Sequence, residues 1–271
     1  MNMQSESLRW VLPNLNSAQT WCKHRNGQGI CCTLDVLGED IKTNDEIEYS
    51  VESILNCART MDNQNLDAAL AIKPTSLGAL TDRKLAKRNI FKLFNETSEL
   101  ITNLELDMEG TPLVEFTIDT AFTLVDTSFP VTLALQAYLD RTPRDIKNAI
   151  DKDINIRLVK GAYMGDSDDF NKIQEKYKNC FSLLFDSGHF FSVSTHDPEL
   201  IRWVKEQAHE QKAIFEFGFL KGLADETKVE LVRDGWQVSE YVPFGRDSKA
   251  YINRRNRYLK NLRNLGRKPL D

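Results

Sequence analysis

Two kinds of segment alternate along the chain. Short runs rich in apolar and β-branched residues occur at 30–37 (ICCTLDVL), 66–73 (LDAALAIK), 104–109 (LELDME), 131–138 (VTLALQAY), 154–160 (INIRLVK), 190–195 (FFSVST), 213–219 (AIFEFGF) and 236–243 (WQVSEYVP). Each reads as a strand. The longer polar segments between them carry apolar residues at three- and four-residue spacing, as in Ile47, Val51, Ile54 and Leu55, or Ile173, Tyr177, Cys180, Phe181 and Leu184. That spacing lines one face of a helix. Asp197 followed by Pro198 reads as a helix cap and first helical residue.

Eight strand-like runs, each followed by a helical segment, imply parallel strands joined by crossover helices, and eight such units close a (β/α)8 TIM-type barrel. The 271 residues suit that fold, and no repeat or low-complexity linker divides them, so one domain spanning 1–271 is expected. Residues 1–26, with Trp10 and Trp21, are predicted to form a helical extension, and the last helix a lid. A doubly wound open sheet is the competing architecture. Its dinucleotide fingerprint is missing: the only G-x-G, Gly27 to Gly29, precedes a strand instead of following one.

Composition narrows the class. A net charge of −5 argues against a nucleic-acid partner, which selects for basic surfaces. Five cysteines, with Cys31 and Cys32 adjacent, give neither a disulfide framework nor paired zinc spacing, so no metal is expected and a reducing, cytoplasmic setting fits. No basic leader and no run of 18 apolar residues is present, so no membrane span is expected.

In a barrel of this kind chemistry sits at the C-terminal ends of the strands. The polar residues read there are Asp35, Glu39, Lys73, Asp107, Glu109, Gln136, Arg157, Lys160, Thr195, His196, Glu216, Glu240 and Tyr241. In RLVKGAY (157–163) alternation sends Arg157 and Val159 to one side and Leu158 and Lys160 to the other, while Gly161 leaves the backbone open to a ligand. Beyond the eighth strand, YINRRNRYL (251–259) sets Arg254 beside Arg255 on a helix that also presents Tyr251. Paired planar guanidinium forks suit a carboxylate better than lysines do.

The motifs LDVLGE (34–39), LDME (106–109), LQAYL (135–139), RLVKGAY, STHD (194–197), FEFGFLKG (215–222) and YVPFGRDSKAYINRR (241–255) resemble, in order and spacing, those of the proline dehydrogenase family. The resemblance runs from about residue 30 to 255. It implies a distorted (β/α)8 barrel of the monofunctional type that holds non-covalent FAD. L-proline would be oxidised to Δ1-pyrroline-5-carboxylate by hydride transfer from C5 to flavin N5. Electrons would pass to a quinone or other acceptor, with the protein peripheral at the inner face of a membrane. Carried onto this chain, the resemblance assigns Lys73, Asp107, Tyr163, Leu220, Tyr241, Tyr251, Arg254 and Arg255 to the substrate, and Gln136, Arg157, Val159, Gly161, Thr195 and His196 to the flavin. Arg157, Lys73 and Asp107 are the implied catalytic groups, and Tyr241 is expected to disfavour hydroxyproline.

This chain departs from the family at three places: Gly218 stands where relatives often carry Gln, Ser248 where they carry an aromatic, and Tyr258 near a usual acidic position. Two other chemistries use the same rim. A Schiff-base lyase would employ Lys160 or Lys73 with Asp107, and a glycosidase-like hydrolase would pair Glu109 with Glu216. A non-catalytic binding barrel is the third alternative. The basic C-terminal stretch 254–269 has the charge to touch an anionic bilayer, although a solvated helix face explains it as well.

Overall fold

The computed structural model describes residues 8–266 apart from positions 40, 102, 164, 209, 210 and 247. Eight parallel strands, β1 (Cys31–Val36), β2 (Ala68–Ile72), β3 (Leu104–Leu106), β4 (Thr132–Gln136), β5 (Asn155–Val159), β6 (Phe191–Ser194), β7 (Phe215–Leu220) and β8 (Gln237–Phe244), close a barrel in sequential order. β8 returns to β1 with Thr33 opposite Tyr241. Helix α1 (Leu15–Asn26) precedes the barrel. Helices α2 (Asn44–Asn63), α3 (Arg83–Thr97), α4 (Thr111–Asp126), α5 (Thr142–Ile150), α6 (Phe170–Ser187), α7 (Pro198–Ala208) and α8 (Asp225–Arg233) follow β1 to β7, and α9 (Lys249–Asn264) follows β8.

Local chemistry sets these boundaries. Helix α2 opens on a capping box, in which Thr43 Oγ1 accepts from Glu46 N–H at 3.3 Å and the Glu46 carboxylate accepts from Thr43 N–H at 3.1 Å. Helix α7 starts as its sequence predicts, with Asp197 Oδ1 accepting the Glu199 N–H at 3.0 Å and Pro198 as first residue. Helix α6 stops at Gly188, whose φ of 71° suits a residue without a Cβ.

Alternation along the strands sorts the layers. Leu34, Leu70, Leu106, Leu133, Leu158, Val193, Phe217 and Val242 point outward into the apolar shell shared with the helices. The inward positions are polar or small: Thr33, Asp35, Lys73, Glu105, Asp107, Gln136, Arg157, Ser192, Ser194, Glu216, Gly218, Ser239 and Tyr241. Barrel interiors are ordinarily packed with branched aliphatics. This one gives up that packing for a charged lumen, so its stability comes from the outer shell, where each buried Leu, Val or Phe contributes about 1.5–3 kcal/mol.

The 1–26 extension is not one helix. Residues 1–7 lie outside the described residues, residues 8–10 have helical backbone, and Leu12 bridges in parallel to Phe244. Leu12 N–H donates to Pro243 C=O at 3.0 Å and its carbonyl accepts from Gly245 N–H at 2.9 Å, so the segment runs along the end of β8. Trp10 is then buried in one cluster with Tyr241 and with Tyr251 and Leu259 of α9. The extension and the last helix thus brace each other at the mouth.

Glu216 and Glu240 do not belong to that mouth, contrary to their reading as strand-end residues. Glu216 is the second residue of β7, deep in the lumen, and accepts the Ser239 hydroxyl at 2.7 Å. Glu240 faces outward because it is adjacent to the inward Tyr241. There it accepts from Trp21 Nε1 at 2.6 Å and is ion-paired with Arg25 and Lys228.

Candidate active site

One cavity of about 560 Å³ opens at the C-terminal end of the barrel, and α9 roofs it with Tyr251, Arg254, Arg255, Arg257, Tyr258 and Asn261. Every residue that the sequence assigned to substrate or flavin lines this cavity: Lys73, Asp107, Gln136, Arg157, Val159, Gly161, Tyr163, Thr195, His196, Leu220, Tyr241, Tyr251, Arg254 and Arg255. Lys73 and Tyr241, 168 residues apart in sequence, meet because the ends of β2 and β8 deliver inward residues to the same rim.

A linked set of charges forms one wall. Lys73 Nζ lies 2.5 Å from Asp35 Oδ2 and 3.4 Å from Asp107 Oδ2, and it donates to the Tyr241 hydroxyl at 2.9 Å. The Tyr241 hydroxyl donates to Asp107 Oδ2 at 2.8 Å, and Arg157 donates to Asp107 Oδ1 at 3.0 Å while pairing with Glu105. Burial alone would raise Asp107, but Lys73, Arg157 and the Tyr241 hydroxyl outweigh it and hold this carboxyl below its usual range. Asp35 goes the other way because burial exceeds the effect of Lys73. Burial would depress Lys73, yet Asp35 and Asp107 more than offset that and keep it an ammonium. A Schiff-base nucleophile needs the opposite, a lysine poised to lose its proton. Lys160 is held by Asp197 at 2.7 Å.

Helix α9 closes the top. Arg254 pairs with Glu39 across the mouth, and its guanidinium lies 4.9 Å from the centre of the Tyr163 ring. Arg255 sits 5.1 Å from the Tyr251 ring centre. Arg255 has no ion pair among the described residues, and both its Nε and the Tyr251 hydroxyl are buried without a hydrogen-bond partner. The two arginines are therefore not equivalent: one fastens the lid and the other offers an uncommitted cation to the cavity.

The facing wall comes from β4, β5 and β6. His196 Nε2 accepts the Leu220 N–H at 2.7 Å, and burial together with Lys228, Arg255 and Lys160 pushes its pKa well down. The imidazole is neutral and carries its proton on Nδ1. Gln136 Nε2 donates to Glu109 C=O at 2.9 Å, and its amide oxygen accepts from the Tyr138 hydroxyl. Arg157 Nε is buried with no hydrogen-bond partner among the described residues.

Several expectations change. Gly161, with φ of 125°, makes room for a side chain of this protein and not only for a ligand, since a Cβ there would lie 1.8 Å from the Tyr138 ring. Lys160 also lines the cavity, because the strand ends at Val159 and alternation lapses beyond it. Glu109 lines a separate crevice of about 460 Å³ on the other side of Tyr163 and Arg254, while Glu216 lies below the mouth, so the two do not form a carboxylate pair. Glu105 went unread, although alternation back from Asp107 places it inside; burial pushes it up to about 7. Of the departures, Tyr258 meets the His196 ring at 6.4 Å between centres, a Cβ on Gly218 would lie 2.2 Å from Ser194 Oγ, and Ser248 caps α9 without a side-chain hydrogen bond. Residues 267–269 of the basic C-terminal stretch lie outside the described residues. Among those described, no helix is long and apolar enough to cross a membrane.

A closed parallel barrel with a charged cavity at its C-terminal mouth, roofed by its last helix, defines the class as a (β/α)8-barrel protein. The proline dehydrogenase family model matches residues 18–257, and the chain belongs to that family. Proline dehydrogenase 2 of Bacillus subtilis strain 168 is 29% identical over 249 residues, covering 89% of this chain and 82% of the relative. Proline dehydrogenase of Deinococcus radiodurans is 30% identical over 239 residues, covering 84% and 77%. Among solved structures, proline utilization A (PutA) from Bdellovibrio bacteriovorus, inactivated by N-propargylglycine, superposes with a TM-score of 0.86 at 18% identity. That match covers 95% of this chain, which spans only 33% of the PutA chain.

Proposed function

We propose that this protein is an FAD-dependent proline dehydrogenase that oxidises L-proline to Δ1-pyrroline-5-carboxylate. The observation that carries the reading is the uncommitted Arg255 guanidinium roofing a cavity whose other wall is the Lys73–Asp107–Tyr241 set. Family membership supports the same substrate.

The residues present suit a flavin. The cavity volume is within the roughly 300–1,000 Å³ of small-molecule sites. Its β4–β6 wall offers an Arg157 Nε–H that is buried with no hydrogen-bond partner among the described residues, a His196 Nδ1–H and the second Nε2–H of Gln136, with Thr195 beside them, to a ring edged with acceptors. Gln136, Arg157, Val159, Gly161, Thr195 and His196 would hold the cofactor, and a bound flavin would supply the hydride acceptor.

The chain's own groups do the rest. Arg255 takes the substrate carboxylate through its planar fork, and Arg254, fastened to Glu39, keeps the lid over it. Tyr163, Leu220, Tyr241 and Tyr251 bound the ring. Lys73 is held as an ammonium and Asp107 as a carboxylate, and the potential of this pair acts on the balance between the protonated secondary amine and its neutral form. That form is the one an imine-forming oxidation requires. The lid and walls would hold the ring in one orientation toward the hydride acceptor, and such orientation lowers the barrier.

Electrons then pass to a quinone-type acceptor, reached from the cytoplasmic face of the membrane with help from the exposed cations Arg257, Lys260 and Arg263 of α9. Liposome co-sedimentation indifferent to removal of the residues after Leu259 overturns that last point.

The primary test is the visible spectrum of the purified protein before and after anaerobic L-proline. Flavin bands that bleach support cofactor and substrate together. A colourless protein that takes up no added FAD overturns both.

A further inference from the structure

We infer that Tyr138, two residues beyond the end of β4, is a positioning residue that holds Tyr163 in the cavity wall and sets the orientation of the Gln136 amide. The part played by Tyr163 toward substrate rests on the function proposed above; the positioning itself rests on geometry alone.

The first observation is steric. Tyr138 is buried, and its ring fills the space that a side chain would occupy at two glycines of the following βα unit. A Cβ on Gly161 would lie 1.8 Å from Cε1, and one on Gly165 would lie 2.0 Å from Cδ2. These atoms belong to opposite edges of the ring, so the chain after β5 is folded around it. Gly161 has positive φ and would favour glycine in any case, so the steric argument is carried by Gly165. The Tyr138 ring leaves no room for a side chain at 165.

The second observation is polar. The Tyr138 hydroxyl donates to Gln136 Oε1 and accepts the Tyr163 N–H at 3.2 Å. Gln136 Nε2 donates to Glu109 C=O at 2.9 Å, which leaves only its oxygen to face the phenol. Donors and acceptors therefore run in one direction from Tyr163 through Tyr138 and Gln136 to the chain after β3. Burial pushes the phenol up to about 12, so it remains a donor across the working range. Lys176 Nζ donates to the Tyr138 carbonyl at 2.9 Å and ties the same residue to α6.

The consequence reaches the lid. Tyr163 supplies the ring over which the Arg254 guanidinium sits at 4.9 Å, and Arg254 is the residue paired with Glu39. A displaced Tyr163 removes that support without removing any group that touches the reacting atoms. Ground-state binding should suffer more than chemistry.

Tyr138→Phe separates positioning from packing, because it keeps the ring and deletes the hydroxyl. In the flavin-loaded protein it should raise KM for L-proline about tenfold with kcat within about twofold, the pattern of lost uniform binding. In hydrogen exchange, the peptide containing the Tyr163 amide should exchange at least about tenfold faster, while peptides of the opposite wall stay unchanged. Unchanged KM and unchanged exchange overturn the inference and leave Tyr138 as packing alone. Exchange is measurable whether or not L-proline is a substrate, so failure of the proposed function is distinguishable from failure of this one. Gly165→Ala gives a second reading: it should reproduce the faster exchange by displacing the ring, and a wild-type pattern there also overturns the inference.

Discussion

Lys73 and Asp35 form a contact of 2.5 Å between two side chains that are only 4% and 1% exposed. A pair so far from water is held by mutual compensation, and losing one member leaves the other as an unpaired buried charge. Lys73→Met should therefore cost about 3–5 kcal/mol in denaturant unfolding, besides abolishing turnover. Adding Asp35→Asn to it should recover a large part of that loss. Strictly additive costs in the double variant would mean that the pair is not energetically coupled.

The two lid arginines should behave differently. Arg255 has no ion-pair partner among the described residues, whereas Arg254 is committed to Glu39. Arg255→Met should lower kcat/KM for L-proline by about 30- to 1,000-fold, corresponding to about 2–4 kcal/mol for a lost buried charge contact. Arg254→Met should cost about tenfold, acting on closure of the lid. Steady-state kinetics with the reverse ranking would move the carboxylate to Arg254.

Two buried carboxyls, Glu105 and Glu109, should each subtract stability as pH rises through the acidic range, against the opposite contribution of carboxyls such as Asp107 whose pKa is lowered. Burial pushes Glu105 and Glu109 up to about 7, from an ordinary carboxyl value of 4.5. Between those values the folded state holds protons that the unfolded state has released, so each group's unfavourable contribution grows until pH passes about 7 and is then constant. At full ionisation the shift amounts to about 3 kcal/mol per group. Glu105→Gln should remove its share, so the variant gains on the parent from about pH 4.5 to 7 and runs parallel above it. A constant difference across that range, measured by urea unfolding, would show that Glu105 does not titrate there.

The fold was legible because its period-2 runs are separated by strong helix patterns, and an outward-facing apolar half such as Leu133 and Leu135 marks a strand even when the inward half is polar. The site was legible through the last inward residue of each strand, which is why Asp107, Gln136 and Arg157 meet in one cavity. What escaped has physical reasons. Glu240 looks like its neighbour Tyr241 in sequence, and only the phase of the alternation, one residue either way, sends it to the outer shell. The pairing of Arg254 with Glu39 joins residues 215 apart, which no local pattern encodes. The 8–12 segment carries too few residues to show periodicity, so its course along β8 was invisible.

Glu240 gives the sharpest separation of stability from chemistry. It is fully buried between the barrel and its outer helices, accepts from Trp21 at 2.6 Å, and compensates both Arg25 and Lys228. Glu240→Gln keeps the shape but leaves two buried cations short of an anion, with Asp225 the remaining carboxylate in contact with both. The expected loss is about 3 kcal/mol, which for a chain of this size lowers Tm by roughly 6–12 °C. Because the cluster lies outside the lumen, KM and kcat per folded molecule at a temperature well below the new midpoint should match the parent. A variant with intact Tm would mean that Asp225 alone compensates both cations. Impaired kinetics at full folding would mean that the outer shell transmits strain through β8 to Tyr241, the adjacent residue that lines the cavity.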